Sequence, residues 1–323
     1  MLSLIQAEEI KSAVVEYLKA TYNFDDKKVE QAFEDFLYNK RHGMFKGPYI
    51  QIRLPYERLE NDVNLNDILE IHPNFRPYLH QYEAFKRLST RNNEPKPVIL
   101  TTGTGSGKTE CFLFPLLDYC YKNLGKPGIK AVILYPMNAL ATDQARRLAD
   151  AIYNFKDVNG DYVLRDKIRA GLFIGEGRQK GKNRPTRMEE QRIIEDRDTL
   201  IQSPPDILLT NFKMLDFSLM QARFNNLWKY NYIDSTLLKF IVLDELHTYD
   251  GAKGSDVANL IRRLKLKLSL DNDQLVPVGT SATMAGGDNG KDELVKFFSL
   301  IFGVDVDKDA IIEETRVHPE FFF

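Results

Sequence analysis

Six short apolar runs recur along the chain: PVILTT at 97–102, AVILYP at 131–136, AGLFIG at 170–175, DILLTN at 206–211, FIVLDE at 240–245 and VPVGTSA at 276–282. Helical periodicity fills the stretches between them. Runs without alternating polar positions suit strands buried on both faces, and the long connections suit parallel pairing through crossover helices. The pattern predicts an α/β fold, a doubly wound parallel sheet covered by helices on both faces. In such a fold the functional loops sit at the carboxyl ends of the strands.

The first run leads into TTGTGSGKTEC, Thr101 to Cys111. Gly103, Gly105 and Gly107 free the backbone to curl round a phosphate, and a helix opening near Gly107 adds its positive dipole end. Thr104, Gly105, Ser106 and Gly107 would line the cradle, Lys108 would reach the β- and γ-phosphates, and the Thr109 hydroxyl would ligate Mg²⁺. The strict pattern G-x-x-x-x-G-K-[ST] asks for glycine where Thr102 stands.

A phosphate loop alone hydrolyses nothing, because the metal needs a second anchor and the attacking water needs orientation. FIVLDELH supplies both, on a strand expected to lie adjacent to the loop: Asp244 for the metal and Glu245 as general base. His247 reads equally as a packed side chain and as a relay of the γ-phosphate state. In GTSATM, Gly279 to Met284, the hydroxyls of Thr280, Ser281 and Thr283 are placed to bond the carboxylates and report their state.

With these three motifs in order, residues 75–317 resemble the first RecA-like motor domain, a P-loop NTPase fold, of a superfamily 2 DEAD/DEAH-box-like helicase. Threonine at position 102 is then usual. The resemblance implies ATP with Mg²⁺ as cofactors. It implies that Gln81, in YLHQYEAF, reads the adenine edge. It also implies that YPMNALATDQ and PDILLTNFKML lie along one nucleic-acid strand, with Pro136, Asn138, Thr210 and Asn211 as contacts. Taken singly, Asn138, Thr210 and Asn211 read more often as helix caps than as phosphate contacts. The phrase DELHTYDGAKGSDVANLIRRL is shared with the large helicases of the DISARM and Druantia anti-phage systems and with related mitomycin-repair helicases.

Domain organisation is expected as an N-terminal helical accessory region with an extended arm at 1–74, an ATP-binding domain at 75–304, and a junction at 305–323. In the helical region, Ile10, Val14, Tyr17 and Leu18 mark one apolar stripe, and Val29, Ala32, Phe33, Phe36 and Leu37 a second. GPYIQIRLPYE, Gly47 to Glu57, reads as an edge strand or arm because of its prolines. The junction segment IIEETR resembles the lead into a second motor domain, expected in a missing C-terminal part or a separate chain. The terminal Phe321–Phe323 points the same way, towards an excised fragment or a split gene.

Net charge is −2, so nucleic-acid contact must be local. RQKGKNRPTR, Arg178 to Arg187, reads either as a solvated insertion or as a phosphate-contacting loop. Arg262, Arg263, Lys265 and Lys267 read as the solvated face of a helix whose buried side is Val257, Leu260, Ile261, Leu264 and Leu268. Cys111 and Cys120 read as buried free thiols. The start of the chain lacks a basic, apolar leader, and no run of about 18 apolar residues appears, which together predict a cytoplasmic protein without membrane contact.

The motifs and the resemblance together imply half of a nucleic-acid-dependent ATPase, DNA-directed rather than RNA-directed, in anti-phage defence or DNA repair. Other defence-system proteins are candidate partners. The alternative is a nucleotide-gated assembly module that binds ATP and nucleic acid without unwinding. A small-molecule phosphotransferase has no use for Gln81 or for GTSAT.

Overall fold

Each expected run forms a strand in the computed structural model: β1 (Val98–Thr101), β2 (Ala131–Leu134), β3 (Ala170–Phe173), β4 (Ile207–Thr210), β5 (Phe240–Leu243) and β6 (Val276–Ser281). A seventh, β7 (Ile311–Glu313), comes from the segment read as a junction. Three residues are too short to show a period, which is why its role was not legible. The structure describes residues 2–39, 41–46, 54–60, 63–91, 94–103, 105–157, 159–175, 184–271, 273–282 and 287–318. It divides into two units, Met1–Leu54 and Pro55–Phe323.

The first unit is a helical hairpin of α1 (Leu2–Tyr22) and α2 (Lys27–Tyr38). Asp26 caps α2 by accepting from Lys28 N at 2.8 Å, and Lys19 bridges to Glu30 and Glu34. The expected apolar stripes are only partly covered. Among the described residues, Leu37 of the second stripe is buried, as is Val15 outside the first, while Ile10, Tyr17, Val29 and Phe36 are at least half exposed. Periodicity marks a face as apolar but does not supply what covers it. Gly47–Arg53 of the expected arm lies outside the described residues.

The second unit is one parallel seven-stranded sheet in the order β3-β4-β2-β5-β6-β1-β7. Alternate residues of each strand enter two separate cores. Val98, Leu100, Ile133, Leu209 and Val242 face one core with α3 (Leu79–Leu88), α4 (Lys108–Lys122) and α5 (Asn138–Tyr153). Ile99, Val132, Leu134, Leu208 and Ile241 face the other core. There they meet α6 (Arg197–Gln202), α7 (Phe212–Met220), α9 (Gly251–Leu268) and α10 (Gly287–Phe302). Between α7 and α9 a short α8 (Lys229–Ile233) places the buried Asn231, whose amide bonds both the N–H and the carbonyl of Ile129 and pins the lead into β2. This two-sided burial is why the first six strands carry apolar residues on both faces, with buried hydroxyls only towards their carboxyl ends.

Two expectations change. The strand carrying Asp244 is not the neighbour of the loop strand, because β6 lies between β5 and β1. And the basic residues of α9 are not a free solvated face: Arg263 pairs with Asp216, Lys267 donates to the Leu219 carbonyl, and the buried Lys265 donates to the Phe302 carbonyl at 2.9 Å. Their aliphatic stems cover core while the charged heads find partners on neighbouring helices. Among the described residues, no helix is long and apolar enough to cross a membrane.

Candidate functional site

The loop after β1 turns on two left-handed glycines, Gly105 at φ 80° and Gly107 at φ 78°, and Gly107 is the N-cap of α4. A Cβ at Gly105 would meet open space, whereas one at Gly107 would strike the Gln81 amide. No side chain caps α4, so the first N–H groups of the helix keep their capacity for an anion. Lys108 opens that helix with its Nζ 3.2 Å from the Ser281 carbonyl, and Thr109 follows, partly exposed. Thr104 lies outside the described residues.

Thr102 has a structural use that a glycine could not serve. Its hydroxyl and that of Ser106 are 2.6 Å apart, both side chains fully buried, so the bond closes the base of the loop. The Ser106 carbonyl in turn accepts from Nε2 of His80 at 2.9 Å. Burial holds the His80 imidazole below its ordinary pKa, against the pull of that carbonyl and of Glu314. Gln81 is also engaged: Nε2 donates to the Gly107 carbonyl at 3.1 Å and Oε1 accepts from Tyr78 N at 2.9 Å. The residue expected to read adenine thus braces the loop.

At the end of β5 the carboxylates are organised by β6. Thr280 donates to Oδ1 of Asp244 and accepts from Glu245 N at 3.1 Å, so one buried hydroxyl holds both acidic residues in register. Glu245 adopts a left-handed backbone (φ 52°, ψ 54°), an uncommon state for a non-glycine residue. Its carbonyl accepts from the N–H and the hydroxyl of Thr248, which tightens the turn. Burial raises the Asp244 pKa and the Glu245 charge adds to it, while Thr280 and Lys108 pull the other way. His247 faces two partners, Ser281 Oγ at 3.3 Å and Glu245 Oε2 at 3.5 Å. Of the three hydroxyls expected to bond the carboxylates, Thr280 does so, Ser281 bonds His247, and Thr283 lies outside the described residues.

β6 therefore sits between the cationic loop and the acidic pair and contacts both. An uncapped helix N-terminus, a lysine and an open glycine turn suit a polyphosphate. A buried carboxylate with a raised pKa suits a divalent cation, whose charge would relieve the cost of ionising it. The residues present fit ATP with Mg²⁺.

A second set of residues meets at the ends of β2 and β4, which are neighbours with Leu134 beside Thr210. Asn211 caps α7 by accepting from Met214 N at 2.9 Å, and its amide donates to Oδ1 of Asn138 at 2.6 Å. Asn138 is exposed and begins α5, next to the half-exposed Pro136. Thr210 does not join them at the surface: it is fully buried with its hydroxyl bonded to the Phe173 carbonyl at 2.5 Å. A strand-end side chain points to one face or the other of the sheet, and this one points inward. Of the basic run Arg178–Arg187, residues 178–183 lie outside the described residues.

Three residues at the loop had no local signature. His80 stands beside Gln81 in a motif that emphasised the glutamine. Tyr56 and Glu314 come from opposite ends of the second unit, and Glu314 reaches the loop across 211 positions. Only a fold that joins those ends could bring them here.

A family model described as DEAD/DEAH box helicase matches residues 78–289, which is more than half of the chain. The chain is 27% identical to the Druantia protein DruE of Escherichia coli (strain UMEA 4076-1), with 83% of this chain and 19% of that protein aligned. It is 30% identical to the uncharacterized ATP-dependent helicase YprA of Bacillus subtilis (strain 168), over 64% of this chain and 23% of that one. Among solved structures, the DUF1998 helicase MrfA bound to DNA superposes with a TM-score of 0.55 at 25% identity, covering 81% of this chain and 31% of that one. The chain thus spans about a fifth to a third of the length of these relatives.

Proposed function

The chain belongs to the DEAD/DEAH box helicase family, and from that premise we propose that it is the ATP-binding half of a DNA-dependent ATPase that moves along or unwinds nucleic acid. The observation that carries the reading is the junction made by β6. Lys108 meets the Ser281 carbonyl at 3.2 Å and the next residue back, Thr280, holds Asp244 and Glu245. Phosphate-binding and hydrolytic groups are thereby tied to one strand.

In this proposal Thr109 and Asp244 hold Mg²⁺, and Lys108 with the backbone of Gly105 to Gly107 and the flanking Thr104 and Ser106 holds the phosphates. ATP supplies the phosphoryl group that is transferred to water. Glu245, one-third exposed and turned outward by its left-handed backbone, takes the proton from that water. His247, between Glu245 and Ser281, moves with them. Gln81 holds the loop through the Gly107 carbonyl, and adenine selection is added when its amide turns to the base. Asn138 and Asn211 present uncharged donors to a backbone phosphate, which suits sequence-independent tracking.

The second RecA-like domain, carried by the rest of a longer protein or by another chain, would close over the nucleotide and supply arginine. Beyond residue 304 the chain would both complete the sheet and lead towards that domain. Likeness to DruE supports a role in anti-phage defence, and likeness to MrfA bound to DNA supports DNA as the track.

The test is nucleotide binding and turnover. Lys108→Ala is expected to abolish binding of a fluorescent ATP analogue. Glu245→Gln should retain binding and lose at least about 100-fold in hydrolysis, the scale of a general base. Full-speed hydrolysis by the isolated chain without nucleic acid would overturn the half-motor reading. Equal strand displacement by wild type and Glu245→Gln, once the second domain is supplied, would mark a nucleotide-gated module instead.

A further inference from the structure

One backbone donor of the phosphate loop is held by a carboxylate from the far end of the second unit. Gly103 N–H donates to Oε2 of Glu314 at 2.6 Å. β1 and β7 run parallel, with Leu100 beside Ile312 and Thr101 beside Glu313. Glu314 is thus the first residue past the end of this ladder on β7 and Gly103 the second past it on β1, and the side-chain carboxylate supplies the acceptor where backbone pairing stops. The donor it holds points along the sheet towards β7. The turn at Gly105 and the first turn of α4 lie beyond it, on the ligand side.

The carboxylate is itself anchored. Nε and Nη2 of Arg316 donate to Oε1 at 2.9 and 2.7 Å, and the guanidinium lies 4.4 Å from the centre of the Tyr56 ring. The backbone around it pairs with the start of the unit: Glu57 N donates to the Thr315 carbonyl at 2.9 Å and Val317 N to the Pro55 carbonyl at 3.0 Å. Burial alone would raise the Glu314 pKa, but the Gly103 N–H and Arg316 outweigh it and hold the group below the ordinary carboxylate value. It is therefore a fixed anion beside a loop that binds anions. Such a charge is tolerable next to phosphates only while it is pinned to its own partners.

We propose that Glu314 is a positioning residue of the nucleotide site, and that residues 314–317 form a clasp whose docking sets how tightly the phosphate loop grips nucleotide. The inference rests on the ATP-binding reading above. With the clasp closed, the loop leaves β1 in one direction and its remaining donors are preorganised. With it open, Gly103 loses its acceptor and a mobile carboxylate repels the incoming phosphates.

The experiment uses the full chain, as wild type and as Glu314→Ala, Glu314→Gln and Arg316→Gln. Two quantities are read: the dissociation constant of a fluorescent ATP analogue with Mg²⁺, and the Gly103 amide resonance in ¹⁵N-glycine-labelled protein. Glu314→Ala is expected to weaken nucleotide binding about tenfold, as for loss of a hydrogen bond to a charged group, and to speed exchange of the Gly103 amide. Glu314→Gln keeps an acceptor for Gly103 and should restore both, a rescue that general destabilisation would not produce. If Glu314→Ala melts below the assay temperature, Arg316→Gln carries the test, since it leaves the carboxylate present but unanchored and should weaken binding too. Wild-type affinity in the folded variants overturns the clasp while leaving the ATP-binding reading intact. A wild-type chain that binds no nucleotide removes both.

Discussion

Thr280 shows how much one hydroxyl can organise. Its hydroxyl donates a hydrogen bond to Asp244 and accepts one from the Glu245 N–H, and it is fully buried. Thr280→Val would leave the partly buried Asp244 carboxylate and Glu245 amide each short of a partner. A stability loss of about 1–3 kcal/mol in urea unfolding is expected, together with loss of hydrolysis, and Thr280→Ser should recover both. Asp244 makes the opposite trade. Its folded pKa is raised by burial, so between the unfolded and folded values the native state holds the extra proton. Stability contributed at this site therefore falls as pH rises through that interval and stays lower at neutral pH. Asp244→Asn is expected to raise the melting temperature near neutrality and to flatten its dependence on pH, while abolishing turnover; a lower melting temperature would contradict this assignment. The placement of Lys108 at a helix start and of Asp244 and Glu245 at a strand end was legible because each motif is a run of residues adjacent in the chain. The partners of Gln81 and Thr210 were not, because a side chain's neighbours depend on which face of the sheet it meets.

At the scale of elements, the strands were the most legible part. The first six are mainly apolar on both faces because alternate residues feed different cores. Pro277 within β6 is a residue that disfavours an interior strand, yet Val276 N bonds the Lys239 carbonyl on the β5 side. By alternation Pro277 faces the β1 side, where the ladder begins one residue later at Val98 and Val278. No ladder bond is lost there. What the motifs could not say is that β6 separates β5 from β1, which turns the third motif from a neighbour of the site into its centre. The specific phrase DELHTYDGAKGSDVA also gains a packing reason. Gly254 in the first turn of α9 lies against the Tyr249 carbonyl, and an added Cβ would overlap that backbone atom. Gly254→Ala is expected to cost about 1–3 kcal/mol in thermal or urea unfolding by pushing α9 away from the turn that carries Glu245 to Tyr249. Unchanged stability would show that the turn yields freely.

For the whole molecule, the second unit is closed by its own ends. Residues 55–57 pair with 315–317, and β7 extends the sheet beyond the strand that leads into the glycine loop. A chain stopped at residue 304 would remove β7 and Glu314 together. It is expected to lose nucleotide affinity and to melt well below a chain stopped at residue 318, in differential scanning fluorimetry and analogue binding. Equal behaviour of the two would mean that β7 is dispensable to the fold. The sequence by itself determined the parallel α/β class, six of the seven strands, and the position of the glycine loop and of the acidic pair at strand ends, since these depend on local periodicity and on residues adjacent in the chain. Only the tertiary structure decided the strand order, the placement of Thr280 between cation and carboxylates, the inward turn of Thr210, and the reach of Glu314 to Gly103. Those depend on contacts between segments far apart in sequence, where no local pattern records which surfaces will meet.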